Sequence, residues 1–247
     1  DAKGDRSKKP GEQLVPEANL HIVEKRPDGI IIRGAKIMIC GVAAANEIFI
    51  LPGGAYDEAN KAYAVACVVP RDIEGLTIVE ARRPSDRREY EEGFDIPETG
   101  ITQAYLLFNN VFVPNERVFM AGEYKYTGSI ISYFSTNHRA CIGACVAGQG
   151  DVMLGAAAML ARANGLCEKI FSQKLTQMSV NNETTFSVGV GAIALGKQHS
   201  SGIWFSDPLT AHTNKIHVAT LPYETKRLCQ EIGGGIVETG CLPSYLD

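Results

Sequence analysis

Leu20-His21-Ile22-Val23-Glu24-Lys25-Arg26-Pro27-Asp28-Gly29-Ile30-Ile31-Ile32-Arg33-Gly34-Ala35-Lys36-Ile37-Met38-Ile39 decides how the first half of the chain folds. Residues 20–26 alternate apolar and polar side chains, which suits a half-buried strand. Pro27-Asp28-Gly29 supplies the turn, because Asp-Gly tolerates the positive φ of a tight hairpin. Residues 30–39 then run back as a second, more apolar strand. Further β-rich runs follow at 47–51, 63–69, 76–79, 103–108 and 111–113. Short strands at this spacing predict an antiparallel β-barrel or sandwich over residues 1–120.

Beyond Gly122 the pattern turns helical. Residues 151–164 are rich in Ala, Leu and Met, and Gly165 suits the position after a helix end. Residues 167–178 and 182–196 read as further helices. Residues 222–232 read as another, with Pro222 in its first turn and Gly233-Gly234-Gly235 closing it. Their apolar stripes are the ordinary signature of a bundle core. The expected architecture is α+β, with a β-domain over 1–120 and an incomplete helical bundle over 121–247.

At 247 residues and 45% hydrophobic, the chain can bury one large core or two modest ones. A net charge of −4 gives no general basic field, so nucleic acid is not an expected partner. No uninterrupted apolar run approaches the ~20 residues that span a bilayer, so no membrane partner is expected either. The chain opens on charged residues, without an initiator Met or an apolar leader segment, and stops soon after an amphipathic helix. Both ends read as cut, which marks a fragment. Its 7 cysteines are odd in number and widely scattered, unlike a disulfide scaffold, and a reducing cytoplasm fits them better. The mixed-charge run at 82–92 reads as a solvated loop or helix, with contact to a phosphate-bearing substrate as the alternative.

Three segments offer chemistry. His138, Cys141 and Cys145 stand at i, i+3 and i+7, so a helix would carry them on one face. Imidazole and thiolate are a soft ligand set that suits zinc or an iron–sulfur cluster, but one helix face does not complete a four-ligand site. Asp1-Ala2-Lys3-Gly4-Asp5-Arg6-Ser7-Lys8-Lys9-Pro10 could present backbone N–H groups and charged side chains to a polar cofactor; an unstructured end explains it equally well. Gly34-Ala35-Lys36-Ile37-Met38-Ile39-Cys40-Gly41-Val42-Ala43-Ala44-Ala45 runs from strand into a turn of small residues. Small residues admit a flat ligand close to the backbone, and a tight bend in a barrel has the same composition.

The ordered set resembles a known family. It comprises Asp-x-Lys-Gly-Asp-Arg at 1–6, Arg33-Gly34-Ala35-Lys36, Phe108-Asn109-Asn110-Val111-Phe112-Val113-Pro114-Asn115-Glu116-Arg117-Val118-Phe119, His138-Arg139 with Cys145, Gly148-Gln149-Gly150-Asp151-Val152, Asn182-Glu183-Thr184 and Pro222-Tyr223-Glu224. In this order they resemble the flavoprotein family of 4-hydroxybutyryl-CoA dehydratase (vinylacetyl-CoA isomerase) and 4-hydroxyphenylacetate 3-hydroxylase, on its dehydratase branch, over nearly the whole chain. The resemblance implies an acyl-CoA-dehydrogenase-like fold whose N-terminal helical domain is missing here. It further implies FAD between the β-domain and the bundle, a homotetramer, and a CoA-thioester substrate. Asp1, Lys3, Gly4, Asp5 and Arg6, together with Met38, Ile39, Cys40 and Gly41, match flavin-contacting segments. His138 and Cys145 match two ligands of a [4Fe–4S] cluster, with His138 also a candidate base.

The sequence departs from the dehydratase pattern at four positions. Ile142 stands for a tyrosine, Val146 for a lysine, Cys40 for a threonine and Gln103 for a glutamate. Ile and Val transfer no protons and Gln is no carboxylate base. Two alternatives therefore stand beside a FAD and [4Fe–4S] enzyme: a flavin-dependent aromatic hydroxylase, and an inactive structural paralogue. Cys141 matches no ligand position of the family.

Overall fold

Strands β1 (His21–Arg26) and β2 (Gly29–Cys40) form the expected hairpin, paired antiparallel with Arg26 opposite Gly29. The structure is a computed structural model and describes residues 2, 4–80, 103–165 and 168–235. Asp1, Lys3, the run at 82–92, Cys167 and Cys241 lie outside the described residues. The chain divides into two units, Asp1–Ile131 and Ser132–Cys241.

The first unit is a β-sandwich. One sheet has the order β1-β2-β6-β5, with β5 at Leu76–Glu80 and β6 at Gln103–Pro114. The other has the order β3-β4-β7, with β3 at Glu47–Ile50, β4 at Val65–Pro70 and β7 at Val118–Ala121. The strands of the unit pair antiparallel among the described residues, and Ile30, Ile32, Ile50, Val69, Leu106 and Val113 from both sheets share one core cluster. The inner side chains of the two sheets exclude water from each other, as alternation requires.

Strand β6 differs from the sequence expectation of two short strands. It is continuous, and its register with β2 shifts between Ile32 and Gly34. The added residue is absorbed by Asn110, at φ 54°. Ala104, Leu106 and Phe108 point inward before this bulge; Val111 and Val113 point inward after it. Without the bulge, the alternation would put Val111 and Val113 on the solvent face.

The second unit is helical. Helix α1 (Thr127–Ala163, 37 residues) begins before the unit boundary. Helix α2 spans Ser172–Ala194, a two-stranded ribbon of β8 (Lys197–Gln198) and β9 (Trp204–Phe205) follows, and α3 (Pro208–Val218) and α4 (Leu221–Gly233) complete the described part. The sequence reading divided α1 before residue 151 and α2 near residue 180; both are uninterrupted. It also missed the ribbon and α3.

Helix α1 buries Thr136, Ala140, Gly143, Ala147, Gly150, Ala157 and Ala161, a seam spaced by threes and fours with one step of seven. Helix α2 answers with Met178, Asn182, Thr185, Gly189 and Ala192. A Cβ on Gly143 would lie 2.3 Å from the Thr185 carbonyl oxygen, and one on Gly150 would lie 2.1 Å from Asn182 Oδ1. Buried polar groups pin the helices: Asn182 Nδ2 donates to Asp151 Oδ1 at 2.9 Å, and Asn181 Nδ2 to Thr225 Oγ1 of α4 at 3.4 Å. The stretch Tyr124–Ala163 is long and apolar enough by length and composition alone to cross a membrane, with an 18-residue window of mean hydropathy 1.4. Ala, Cys, Ile, Val and Leu of α1 raise the window mean without forming an uninterrupted apolar run of that length.

The seam predicts opposite outcomes for two glycines of α1. Gly143→Ala forces the Thr185 backbone away and should cost about 1–3 kcal/mol. Gly155→Ala meets nothing within 4 Å and should raise stability by about 0.5–1 kcal/mol through helix propensity. Calorimetric unfolding of the two variants checks this, and an unchanged Tm for Gly143→Ala would show that the helices are not in contact there.

Candidate functional site

The loop ahead of β1 is organised by one side chain. Gln13 Nε2 donates to the carbonyls of Asp5 (2.7 Å) and Lys8 (3.1 Å), while Gln13 Oε1 accepts from the Asp5 amide at 3.0 Å. Asp5 caps the turn, accepting from Ser7 N (2.9 Å) and Ser7 Oγ (2.6 Å), and these hydrogen bonds hold its carboxyl below the usual range. Lys9 Nζ reaches across to the Ala55 carbonyl at 2.9 Å, and Asn60 Oδ1 accepts from the Gly11 amide at 2.9 Å. The resulting open cleft, about 490 Å³, is lined by Gly4, Asp5, Arg6, Lys8 and Lys9 on one side and by the loop at 53–56 on the other. Three cations against one carboxylate make it a positive pocket in a chain of net charge −4.

Of the sequence candidates, Gly4, Asp5 and Arg6 line this cleft, and Asp1 and Lys3 fall outside the described residues. Met38, Ile39, Cys40 and Gly41 do not line it. They close β2, where the register with β6 shifts again between Lys36 and Ile39. Met38 has φ 59° and Gly41 φ 64°. A methionine in the left-handed region stores strain that is uncommon outside functional or tightly constrained segments. Cys40 stands opposite Gln103, whose Nε2 donates to Cys40 Sγ at 2.9 Å.

Lys36 is a residue that sequence reading left without a role. It is buried on β2, and its ammonium donates to the Leu51 carbonyl at 2.8 Å, just ahead of the 53–56 loop. Burial lowers its pKa to about 8, while burial pushes the neighbouring Cys67 thiol up to about 12. Lys8 and Lys9 lay in the segment offered for a polar cofactor without being singled out, and Gln13 was missed. They follow no spacing rule and are joined to residues 53–56 only by the fold.

In the helical unit, His138, Cys141 and Cys145 are all exposed on α1. The His138 ring lies 6.0 Å from that of Phe134. Arg139, one residue on, turns toward α3: its guanidinium donates to His212 Nδ1 at 3.1 Å, and its carbonyl accepts from Asn214 Nδ2 at 3.1 Å. Arg has no acceptor, so His212 Nδ1 is the unprotonated nitrogen there. Ile142 and Val146, beside the candidate ligands, are half-buried. Among the described residues no three His, Cys, Asp or Glu gather as a metal site.

The sandwich followed by the bundle is the architecture of the acyl-CoA dehydrogenases. Glutaryl-coenzyme A dehydrogenase matches with TM-score 0.65 at 16% identity, covering 94% of this chain and 56% of that one. Residues 1–120 match the model of the 4-hydroxyphenylacetate 3-hydroxylase N-terminal region, and residues 127–247 that of its C-terminal region. The chain belongs to the 4-hydroxyphenylacetate 3-hydroxylase and 4-hydroxybutyryl-CoA dehydratase family. It is 39% identical over 252 residues to 4-hydroxybutyryl-CoA dehydratase/vinylacetyl-CoA-Delta-isomerase of Clostridium aminobutyricum, covering 100% of this chain and 51% of that protein. The oxygen-tolerant archaeal 4-hydroxybutyryl-CoA dehydratase from N. maritimus matches with TM-score 0.91 at 35% identity, covering 98% of this chain and 49% of that one. The oxygenase component of 4-hydroxyphenylacetate 3-monooxygenase, complexed with FAD and 4-hydroxyphenylacetate, shares the fold with TM-score 0.80 at 20% identity, covering 97% of this chain and 50% of that one. The chain thus spans about half the length of these relatives.

The Lys36 ammonium makes stability depend on pH. The unfolded chain keeps this proton up to the ordinary 10.5, whereas the folded one releases it near 8. Between those values the unfolded state binds more of this proton, so the Lys36 contribution to stability rises with pH, opposed above pH 9 by the Cys67 thiol, which the folded chain deprotonates only near 12. Lys36→Met should abolish that rise. The wild type should gain on the order of 3 kcal/mol over the variant from pH 8 to 10.5, read by urea unfolding at stepped pH.

Proposed function

We propose that the full-length protein is an FAD-dependent enzyme that acts on a CoA thioester, with a [4Fe–4S] cluster, in a homotetramer in the cytoplasm. The observation that carries this reading is the exposure of His138 and Cys145 on one face of α1, in a chain 39% identical to a 4-hydroxybutyryl-CoA dehydratase. The donor set fits half of a cluster site: a soft imidazole and thiolate, two turns apart, with no partner among the described residues on either side chain beyond the Phe134 ring. The cationic cleft fits an anionic cofactor. Arg6, Lys8 and Lys9 would hold the flavin pyrophosphate, and the strained end of β2 would set backbone at Met38–Gly41 against the ring system.

When bound, the flavin would supply one-electron chemistry and the cluster a Lewis acid for a leaving hydroxyl. The chain's own residues limit how protons move. Ile142 and Val146 transfer none, and the Gln103 amide orients the Cys40 thiol instead of removing a proton. His138 is left as the candidate base. That same neutral Gln103–Cys40 pair favours a second reading, a flavin-dependent hydroxylase of the monooxygenase branch, which needs no cluster.

Anaerobically prepared full-length protein should contain both flavin and iron and give an iron–sulfur EPR signal on reduction. His138→Ala should lower the iron-to-flavin ratio severalfold while flavin stays bound, since one of the ligands is removed. A flavin-loaded wild type without iron would reject the cluster and select the hydroxylase reading.

A further inference from the structure

The helical unit holds a second cavity, about 290 Å³, between the first turns of α1 and the β8–β9 ribbon. No sequence motif pointed to it. Its lining carries one cation, Lys197, and that ammonium has no hydrogen bond or ion pair among the described residues. Asp207, the acidic residue on the lining, is already committed. It caps α3, accepting from Thr210 N at 2.8 Å and Thr210 Oγ1 at 2.7 Å. His199 Nδ1 accepts from the Ser201 amide at 3.1 Å, which places the proton of the neutral ring on Nε2 and makes that nitrogen a donor. Ser132 and Ser206 add hydroxyls.

Beside these donors stands an aromatic wall. The Tyr133 and Phe205 rings lie 4.2 Å apart at 32°, and the His199 ring meets them edge-on at 5.9 and 6.0 Å. Tyr133 remains 42% exposed, so ring surface is available to a ligand. An ammonium without a hydrogen bond or ion pair among the described residues, though close enough to help the Thr210 hydrogen bonds lower the Asp207 carboxyl, stands with hydroxyls and an imidazole N–H next to an aromatic surface, a set that suits a phosphate monoester attached to a heteroaromatic base. The volume is at the lower limit of ligand pockets, roughly 300 Å³, so it holds one end of a long ligand rather than the whole.

We infer that this cavity seats the adenosine 3′-phosphate end of the CoA thioester, with Lys197 on the 3′-phosphate and the base against Tyr133. The inference rests on the CoA-thioester reading. A phosphate monoester carries up to two charges, whereas each pyrophosphate unit carries one, so the lone ammonium gains most from the 3′ group.

Isothermal titration of full-length, flavin-loaded protein with CoA, adenosine 3′,5′-bisphosphate and 3′-dephospho-CoA tests it. The wild type should bind the first two. Lys197→Met should weaken both about tenfold, the order of one charge-assisted hydrogen bond, and leave 3′-dephospho-CoA unaffected. Lys197→Arg should retain most of the affinity. Unchanged CoA affinity in Lys197→Met overturns the subsite while the substrate class stands, and equal weakening of CoA and 3′-dephospho-CoA overturns the 3′-phosphate assignment. A flavin-loaded wild type that binds no CoA overturns the substrate class and the subsite together.

Discussion

Helices α1 and α2 approach so closely that the backbone of one fills the space a side chain would take on the other. The Thr185 carbonyl occupies the Cβ position of Gly143, and the Ala140 carbonyl lies 2.6 Å from the Cβ position of Gly189. Such contact is possible only where both partners are small, which fixes the rotation of α1 about its axis. Seven seam residues from Thr136 to Ala161 face inward, and so Phe134, His138, Cys141, Cys145, Val152 and Met159 must face outward. The exposure of the soft ligands is therefore a consequence of helix packing. A larger residue at Gly143 would do more than cost stability, because any rotation that relieved the clash would also turn His138 and Cys145 away from whatever completes their site.

The β-sandwich applies a comparable constraint with different means. Its strands are long, and two bulges against β6 reset the alternation that a straight β2 would impose. The first, at Asn110, serves the core by keeping Val111 and Val113 inside. The second, at Met38, serves no comparable core need, since Met38 is 66% exposed. It ends β2 in a strained backbone that would cost of order 1 kcal/mol or more to hold. Lys36, two residues earlier, is buried and tied to the Leu51 carbonyl, so the strand end and the wall of the cationic cleft are joined through one desolvated ammonium.

The β1–β2 hairpin was legible because Asp28-Gly29 is local turn chemistry between two apolar runs. Helices α1 and α2 were legible in kind but not in length, and α3 was not legible at all. Gly148-Gln149-Gly150 reads as a break, since glycine disfavours helix by about 1 kcal/mol per residue. Tertiary contact overrides that preference here, because Gly150 must clear Asn182. Asn109-Asn110 reads as a turn for the same sort of reason, yet asparagine tolerates the left-handed conformation and the strand continues through a bulge. The candidate ligands on α1 were legible because helical spacing alone places His138, Cys141 and Cys145 together. The cleft was legible only in part. Lys9 and Ala55 are far apart in the chain, and Gln13 acts through two carbonyls and one amide that any sequence could supply.

The two candidate sites also differ in what they ask of protons. At the end of β2 the facing pair is an amide and a thiol, satisfied by one hydrogen bond, and neither side chain is a carboxylate that could accept a proton from a substrate carbon. On α1 the flanking residues are aliphatic. Among the candidate residues named on this chain, proton transfer in the proposed enzyme would fall to the imidazole of His138, which has two nitrogens and no more. A nitrogen that ligates a metal has its lone pair committed, so the other nitrogen alone remains to take a proton. Ligation and base catalysis by this residue are compatible only if that second nitrogen points toward substrate. The aliphatic environment of Ile142 and Val146 supplies no competing hydrogen-bond partner to hold it elsewhere.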